Sequence, residues 1–221
     1  MNSKPVPYAG KATIAAFVVT TAAVLALALN GGGYDLVVRQ EAALAAWWLL
    51  ALGLAFGFLP RARPPKSSRV PLIAAAALVV WMGLSVAWTE TDERALEELA
   101  RTVGYLGAGT LVFTTLGPRT WRAAAAGLAV AAVGVCVAAM LARLDPGAFH
   151  ESAAFIYAFG TKRLAYPLGY WNAVGTVAAM ALVMALAWSA HARAGRLRAL
   201  ALAATPLAGA VVYLTYSRTA V

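Results

Sequence analysis

Seven apolar runs dominate this chain, at about residues 12–29, 42–59, 70–88, 102–117, 123–142, 168–190 and 199–216. A membrane's hydrocarbon core is roughly 30 Å thick and a helix rises about 1.5 Å per residue, so about 20 apolar residues cross it. Each run is long enough for that crossing, the fourth only barely. Hydrocarbon offers no partner to an unpaired N–H or C=O, so each span has to satisfy its own backbone as a helix. Only 12% of the residues are charged and the mean hydropathy is +0.73, where a soluble domain would carry about 25% charged residues. The expected fold is therefore all-α: a polytopic integral membrane helix bundle of about seven transmembrane helices, with residues 1–221 as a single transmembrane domain.

A net charge of +9 would suit a nucleic-acid binder if it were gathered on one polar surface. Instead the charges fall in short loops between apolar runs, which is the pattern of a membrane protein whose partners are lipids and no nucleic acid. With the N-terminus in the cytoplasm, Lys4, Lys11, Arg61, Arg63, Lys66, Arg69, Arg119, Arg122, Arg193, Arg196 and Arg198 all face that side, eleven basic residues without an acid. The opposite side then holds seven basic residues and all nine acids: Asp35, Glu41, Glu90, Asp92, Glu93, Glu97, Glu98, Asp145 and Glu151. Lysine and arginine accumulate on the cytoplasmic side, so eleven against seven orients the chain N-in and C-out. The first run follows Lys4 and Lys11 and contains Ala26-Leu27-Ala28, as a cleavable signal peptide would. It exceeds the usual apolar region of about 7–15 residues, which favours its retention as a span.

The connections carry further expectations. Thr89 to Arg101, T-E-T-D-E-R-A-L-E-E-L-A-R, reads as a short amphipathic helix feeding the fourth span. Thr89 and Asp92 fit a capping box, and Arg94–Glu98 and Glu97–Arg101 fit i,i+4 ion pairs. Ala95, Leu96 and Leu99 could lie on a membrane surface, although a solvated connector explains the same residues. The segment 143–167, with Phe149, His150, Phe155, Tyr157, Phe159 and Tyr166, is long enough for an interfacial or re-entrant element. Gly53-x-x-x-Gly57 offers a small surface on which helices can pack. Cys136 is the lone cysteine, so the chain can form neither an internal disulfide nor a thiolate metal site. His150 and His191 fall on opposite sides of the membrane and cannot share a metal. No metal or cofactor is expected, and no Walker A, G-x-G-x-x-G, H-E-x-x-H or G-x-S-x-G pattern is present.

Hydrogen-bonding side chains concentrate instead in K-R-L-A-Y-P-L-G-Y-W-N-A-V-G, Lys162 to Gly175, and in Y-L-T-Y-S-R-T-A, Tyr213 to Ala220. Arg163 opens the sixth span and Arg218 closes the seventh, both on the outer side. An arginine in hydrocarbon costs about 2.5–3.5 kcal/mol on insertion scales, so such residues line a cavity or snorkel to the surface. Two readings follow. Arg163 and Arg218 could anchor helix ends to lipid headgroups, with Tyr166, Tyr170 and Trp171 as an aromatic belt. Alternatively, two guanidiniums on one face suit a diphosphate, since each holds phosphate oxygens in a two-pronged grip without a metal. The N-terminus of the sixth helix and the Asn172 amide would then assist.

These two motifs resemble the O-antigen ligase and O-antigen polymerase superfamily, in which an arginine precedes a glycine- and asparagine-bearing turn and a later span closes in Ser-Arg-small. Trp88 to Tyr105, W-T-E-T-D-E-R-A-L-E-E-L-A-R-T-V-G-Y, is similar to an outer-loop signature of the same family. The resemblance implies a GT-C-like integral-membrane glycosyltransferase of the bacterial cytoplasmic membrane. Such an enzyme transfers a glycan from undecaprenyl diphosphate to a lipid or glycan acceptor at the outer face, without a metal. It implies that Arg163 and Arg218 are catalytic and grip the carrier diphosphate, with Asn172 as the turn asparagine; Lys162, Tyr170, Trp171, Asn172 and Ser217 around them are expected to bind substrate. Where many members read Asn-Pro-Asn, this chain reads Tyr170-Trp171-Asn172. Family members also continue past the Ser-Arg motif into an outer loop with a catalytic histidine and further spans. The expectation is thus an N-terminal part truncated at Val221, with the general base beyond it and little turnover by these residues alone. The competing function is a membrane transporter or lipid-linked saccharide permease. That reading calls for ionisable residues near midspan, which the seven runs lack. A purely structural subunit is the third possibility.

Overall fold

The structure is a computed structural model and describes residues 10–57, 66–117, 120–149 and 163–217. Every regular element among them is helical: α1 (Lys11–Leu29), α2 (Leu36–Ala55), α3 (Lys66–Ser85), α4 (Asp92–Thr115), α5 (Trp121–Leu144), α6 (Trp171–His191) and α7 (Gly195–Thr215), with single 3₁₀ turns at Gly31–Gly33 and Val86–Trp88. Six stretches are long and apolar enough to cross a membrane: α1, α2, Arg69–Trp88, α5, α6 and α7. The chain is a multi-pass membrane protein. The expected fourth span is not a separate helix. Run 102–117 forms the second half of α4, whose first turns carry Asp92, Glu93, Arg94, Glu97, Glu98 and Arg101. No proline lies within α4, so the backbone continues through the change in polarity after Arg101.

By contacts the chain divides into two compact units, Met1–Tyr34 with Arg119–Val221, and Asp35–Pro118. In the first, α1 and α5 run parallel. Gly127 meets Phe17, Thr20 and Thr21, and one turn pair later Gly134 meets Leu25. The Thr21 hydroxyl is shared between the carbonyls of Phe17 (2.8 Å) and Gly127 (3.2 Å). Lipid removes most of the hydrophobic drive between helices, so association depends on backbones approaching closely enough to pack and hydrogen-bond. The core of this unit follows that rule, with Val135, Cys136 and Ala139 of α5, Val174, Ala178 and Ala181 of α6, and Ala208 and Val211 of α7. Pro206 lies inside α7, where it cannot donate to the Leu202 carbonyl. The Thr205 hydroxyl takes up that carbonyl at 2.7 Å, the kind of local rescue a helix in lipid needs.

Helix directions sort the ends of this unit. The starts of α1 and α5, the end of α6 and the start of α7 share one end, which gathers Lys11, Arg122, Arg193, Arg196 and Arg198. No acid stands there among the described residues. The Arg198 Nε donates to the Ser189 carbonyl at 2.9 Å and so closes the α6–α7 turn. The opposite end, called the rim below, collects the ends of α1, α5 and α7 and the start of α6.

The second unit is held differently. Asp35 caps α2 by accepting from the Val37 and Val38 amides (2.8 and 3.3 Å), worth about 1 kcal/mol, and α2 thus begins six residues before the apolar run. The α2 and α4 backbones run parallel and close together, with Ala43 on Gly104 and the Trp47 indole on Gly107. The Trp47 Nε1–H donates to the Val103 carbonyl at 3.2 Å, and the Thr102 hydroxyl reaches the Met82 sulfur of α3 at 3.3 Å. Several sequence expectations are corrected here. Thr91, not Thr89, precedes α4 and makes no side-chain cap, so the capping box does not form. Glu97 pairs with Arg39 of α2 at 2.8 Å, and Arg101 with Glu98, replacing the i,i+4 scheme, because the parallel α2 brings a closer cation to Glu97. Gly57 lies beyond the α2 helix at φ +74° with open space around it. It stops the helix, as glycine does after a C-cap, and packs on none of the described residues.

Candidate functional site

The rim of the first unit is built from the segment 163–170, the first turn of α6 and the last turn of α7. Leu164, Ala165 and Leu168 are buried with Pro167, so this segment plugs the end of the bundle, while Arg163, Gly169 and Tyr170 stay exposed. The Tyr166–Pro167 peptide is cis, and Gly169 turns the chain at φ +70°, a conformation that costs glycine little. The Leu164 amide donates to the Leu214 carbonyl at 3.2 Å, clipping the segment to α7. The plug also explains why α6 starts at Trp171 rather than at 168: Pro167 and Gly169 both interrupt helical backbone.

Asn172 is the bridge. Its Nδ2 donates to the Tyr170 hydroxyl at 2.6 Å, and its Oδ1 accepts from the Ser217 hydroxyl at 2.8 Å. Ser217 is 2% exposed and Thr215 is fully buried. A buried hydroxyl without a partner would cost about 1–3 kcal/mol. Thr215 therefore donates to the Val212 carbonyl (2.7 Å) and Ser217 to Asn172. Between them Tyr216 adopts the left-handed region at φ 49°, uncommon for a bulky residue and often found where a site constrains the backbone.

The Arg163 guanidinium lies 5.1 Å above the Trp171 ring. A cation–π contact of this exposed kind contributes about 0.5–1 kcal/mol and tethers the guanidinium beside the ring. It stands beside the N-terminus of α6, where the helix carries partial positive charge. Tyr170 packs at 5.2 Å from Trp171, and Tyr34, which follows the Gly31–Gly33 turn, stands edge-on to Tyr170 at 6.2 Å. Phe149, past the end of α5, packs on Tyr166 at 5.1 Å.

Of the residues singled out in the sequence, Arg163, Tyr170, Trp171, Asn172 and Ser217 come together at this rim. Lys162, Arg218, His150 and most of the 143–167 connection lie outside the described residues. Tyr34 is the residue that sequence reasoning missed. It sits some 130 positions away, and its only signal is the Gly-Gly-Gly before it. Among the described residues no group of three His, Cys, Asp or Glu side chains is arranged to hold a metal. His191 is remote from the rim, with Nδ1 at 2.9 Å from the Ala187 carbonyl in the last turn of α6. No family model, curated protein or solved structure matches the chain.

Proposed function

We propose that this chain serves an O-antigen ligase-like, GT-C-type glycosyl transfer, taking a glycan from an undecaprenyl-diphosphate carrier to a lipid or glycan acceptor at the outer face of the bacterial cytoplasmic membrane. The observation that carries the reading is the Ser217–Asn172 hydrogen bond, 2.8 Å long between residues 45 apart. It joins the two motifs of the family resemblance beside an exposed arginine. In this reading Arg163 and Arg218 grip the diphosphate and stabilise the charge that grows on it as the glycosyl bond breaks, an interaction that strengthens toward the transition state. No metal takes part. Asn172 and Ser217 fix the two helix ends against each other. The acid-free cluster of Lys11, Arg122, Arg193, Arg196 and Arg198 at the far end supports a cytoplasmic N-terminus and an outward rim. Within the first unit the described charges lie at helix ends, which favours chemistry at the rim over a permease with midspan charges.

The test is undecaprenyl diphosphate binding to the purified chain in nanodiscs. A charge-assisted hydrogen bond is worth about 1.5–3 kcal/mol, so Arg163→Lys, which keeps the charge but loses the fork, is expected to weaken binding by about 10–100-fold. Equal binding by the two proteins, or no binding by either, would overturn the reading.

A further inference from the structure

The Tyr34 side of the rim has features that an interfacial anchor does not need. Tyr34 and Tyr170 meet at 81°, and they remain 59% and 39% exposed. Their rings therefore form an open right-angled corner. That corner is held from beneath. Gly31, Gly32 and Gly33 all have positive φ, between 67° and 71°, a sequence of conformations that side-chain-bearing residues resist. The turn also presses on the plug: a Cβ at Gly32 would stand 2.8 Å from the Leu168 Cδ2. Leu168 is itself buried, so the position of Tyr34 is set by a fixed base. Beside the corner, a Cβ at Gly169 would meet nothing within 4 Å apart from its own chain neighbours. An aromatic residue that merely marks a membrane surface needs no fixed orientation. Here the orientation is specified.

The order along the rim is Arg163, Trp171, Tyr170, Tyr34, with steps of 5.1, 5.2 and 6.2 Å. A guanidinium at one end calls for phosphate. At the other end, the electron-rich ring faces call for weakly positive C–H groups, and the tyrosine hydroxyls for a ligand that also hydrogen-bonds. A pyranose ring offers both, since its C–H faces are apolar and its edge carries the hydrogen-bonding groups. We infer that Tyr34 and Tyr170 form a subsite for the sugar ring of a glycosyl diphosphate whose phosphates lie at Arg163. The inference rests on the donor reading above and extends it from the carrier to the sugar.

The experiment compares two probes on the full chain in nanodiscs, undecaprenyl diphosphate and undecaprenyl diphosphate carrying N-acetylglucosamine. The sugar is expected to tighten binding about tenfold, the scale of a good aromatic contact. Tyr34→Leu removes that gain and leaves the bare carrier's affinity unchanged, whereas Tyr34→Phe, which keeps the ring, retains most of it. Tyr34 is the better probe because Tyr170 also holds Asn172. If the bare carrier binds but the sugar adds nothing, or if Tyr34→Leu leaves the gain intact, the subsite is refuted while the donor reading stands. If neither probe binds, both fall together. Should Tyr34→Phe lose as much as Tyr34→Leu, ring stacking is not the cause and the inference also fails.

Discussion

The two units of this chain solve the same packing problem by different means. In the unit of α1, α5, α6 and α7, the side chains buried between the helices are mostly small and apolar. On α5 alone Ala124, Gly127, Ala129, Ala131, Ala132, Val135, Cys136, Ala139 and Ala142 are covered. In the unit of α2, α3 and α4, burial is sparse, confined on α2 to Ala46, Leu50 and Gly53 and on α4 to Gly104 and Gly107. Polar hooks hold that unit instead: Arg39 on Glu97, Trp47 on a backbone carbonyl, Thr102 on a methionine sulfur. A close-packed interior transmits strain and holds position, while interhelical hydrogen bonds in lipid average only about 0.6 kcal/mol. The rim residues belong to the close-packed unit. A site that must keep a guanidinium and several rings in register needs that kind of base.

The sharpest way to break the comparison is to overpack each unit at a glycine that meets a neighbouring helix. A Cβ at Gly127 would stand 2.5 Å from the Phe17 carbonyl oxygen, which is backbone of α1 and cannot turn aside. Gly127→Leu is expected to cost about 3 kcal/mol or more, at the top of the overpacking range, and to lower the midpoint of thermal unfolding in detergent accordingly. At Gly104 the obstacle is the Ala43 methyl at 2.8 Å, with its Cα at 3.8 Å. In a sparsely buried unit, Gly104→Leu should cost nearer 1 kcal/mol. If the two substitutions cost the same, the units do not differ in the way argued.

What the sequence made legible follows from what windows of residues can report. Hydropathy located the apolar runs, because crossing about 30 Å of hydrocarbon is a demand on contiguous residues. It divided α4 wrongly because it tracks polarity, and polarity changes at Arg101 while the backbone does not. It began α2 at 42 because Arg39 and Glu41 are charged. The cap that starts the helix, Asp35, is a single side chain. Gly53-x-x-x-Gly57 had the right spacing for packing, but spacing could not show that the helix stops at Ala55. The working glycines, Gly127 and Gly134, are seven apart and looked like any others in an alanine-rich run. At the rim, the Arg163 and Ser217 segments were legible as unusual concentrations of hydrogen-bonding groups. The Asn172–Ser217 bond was not, since a pairing across 45 residues depends on tertiary structure. Tyr34 was invisible for the same reason.

A smaller effect tests whether the rim is tied as described. In a double-mutant cycle of Asn172→Ala and Ser217→Ala, read by thermal unfolding, the coupling should be about 1 kcal/mol, within the span measured for hydrogen bonds between helices in lipid. Zero coupling would mean that the hydrogen bond between Asn172 and Ser217 contributes nothing to holding α6 against α7.

The smallest effect is the most discriminating control, because it is expected to be alike in both units. Gly83 of α3 and Gly209 of α7 have open space where a Cβ would go. Each sits inside a helix, so replacing either by alanine removes backbone freedom from the unfolded chain without meeting a neighbour. Gly83→Ala and Gly209→Ala should each raise stability by about 0.5 kcal/mol, seen as a small upward shift in the unfolding midpoint. A gain at both sites would establish that glycine is costly to this bundle wherever it does not serve close approach, which makes the tolerated glycines at 127 and 134 a matter of geometry. A loss at Gly209 alone would mean that the close-packed unit presses on α7 at a face that the present packing leaves open, and the contrast between the two units would then extend along the whole of that helix.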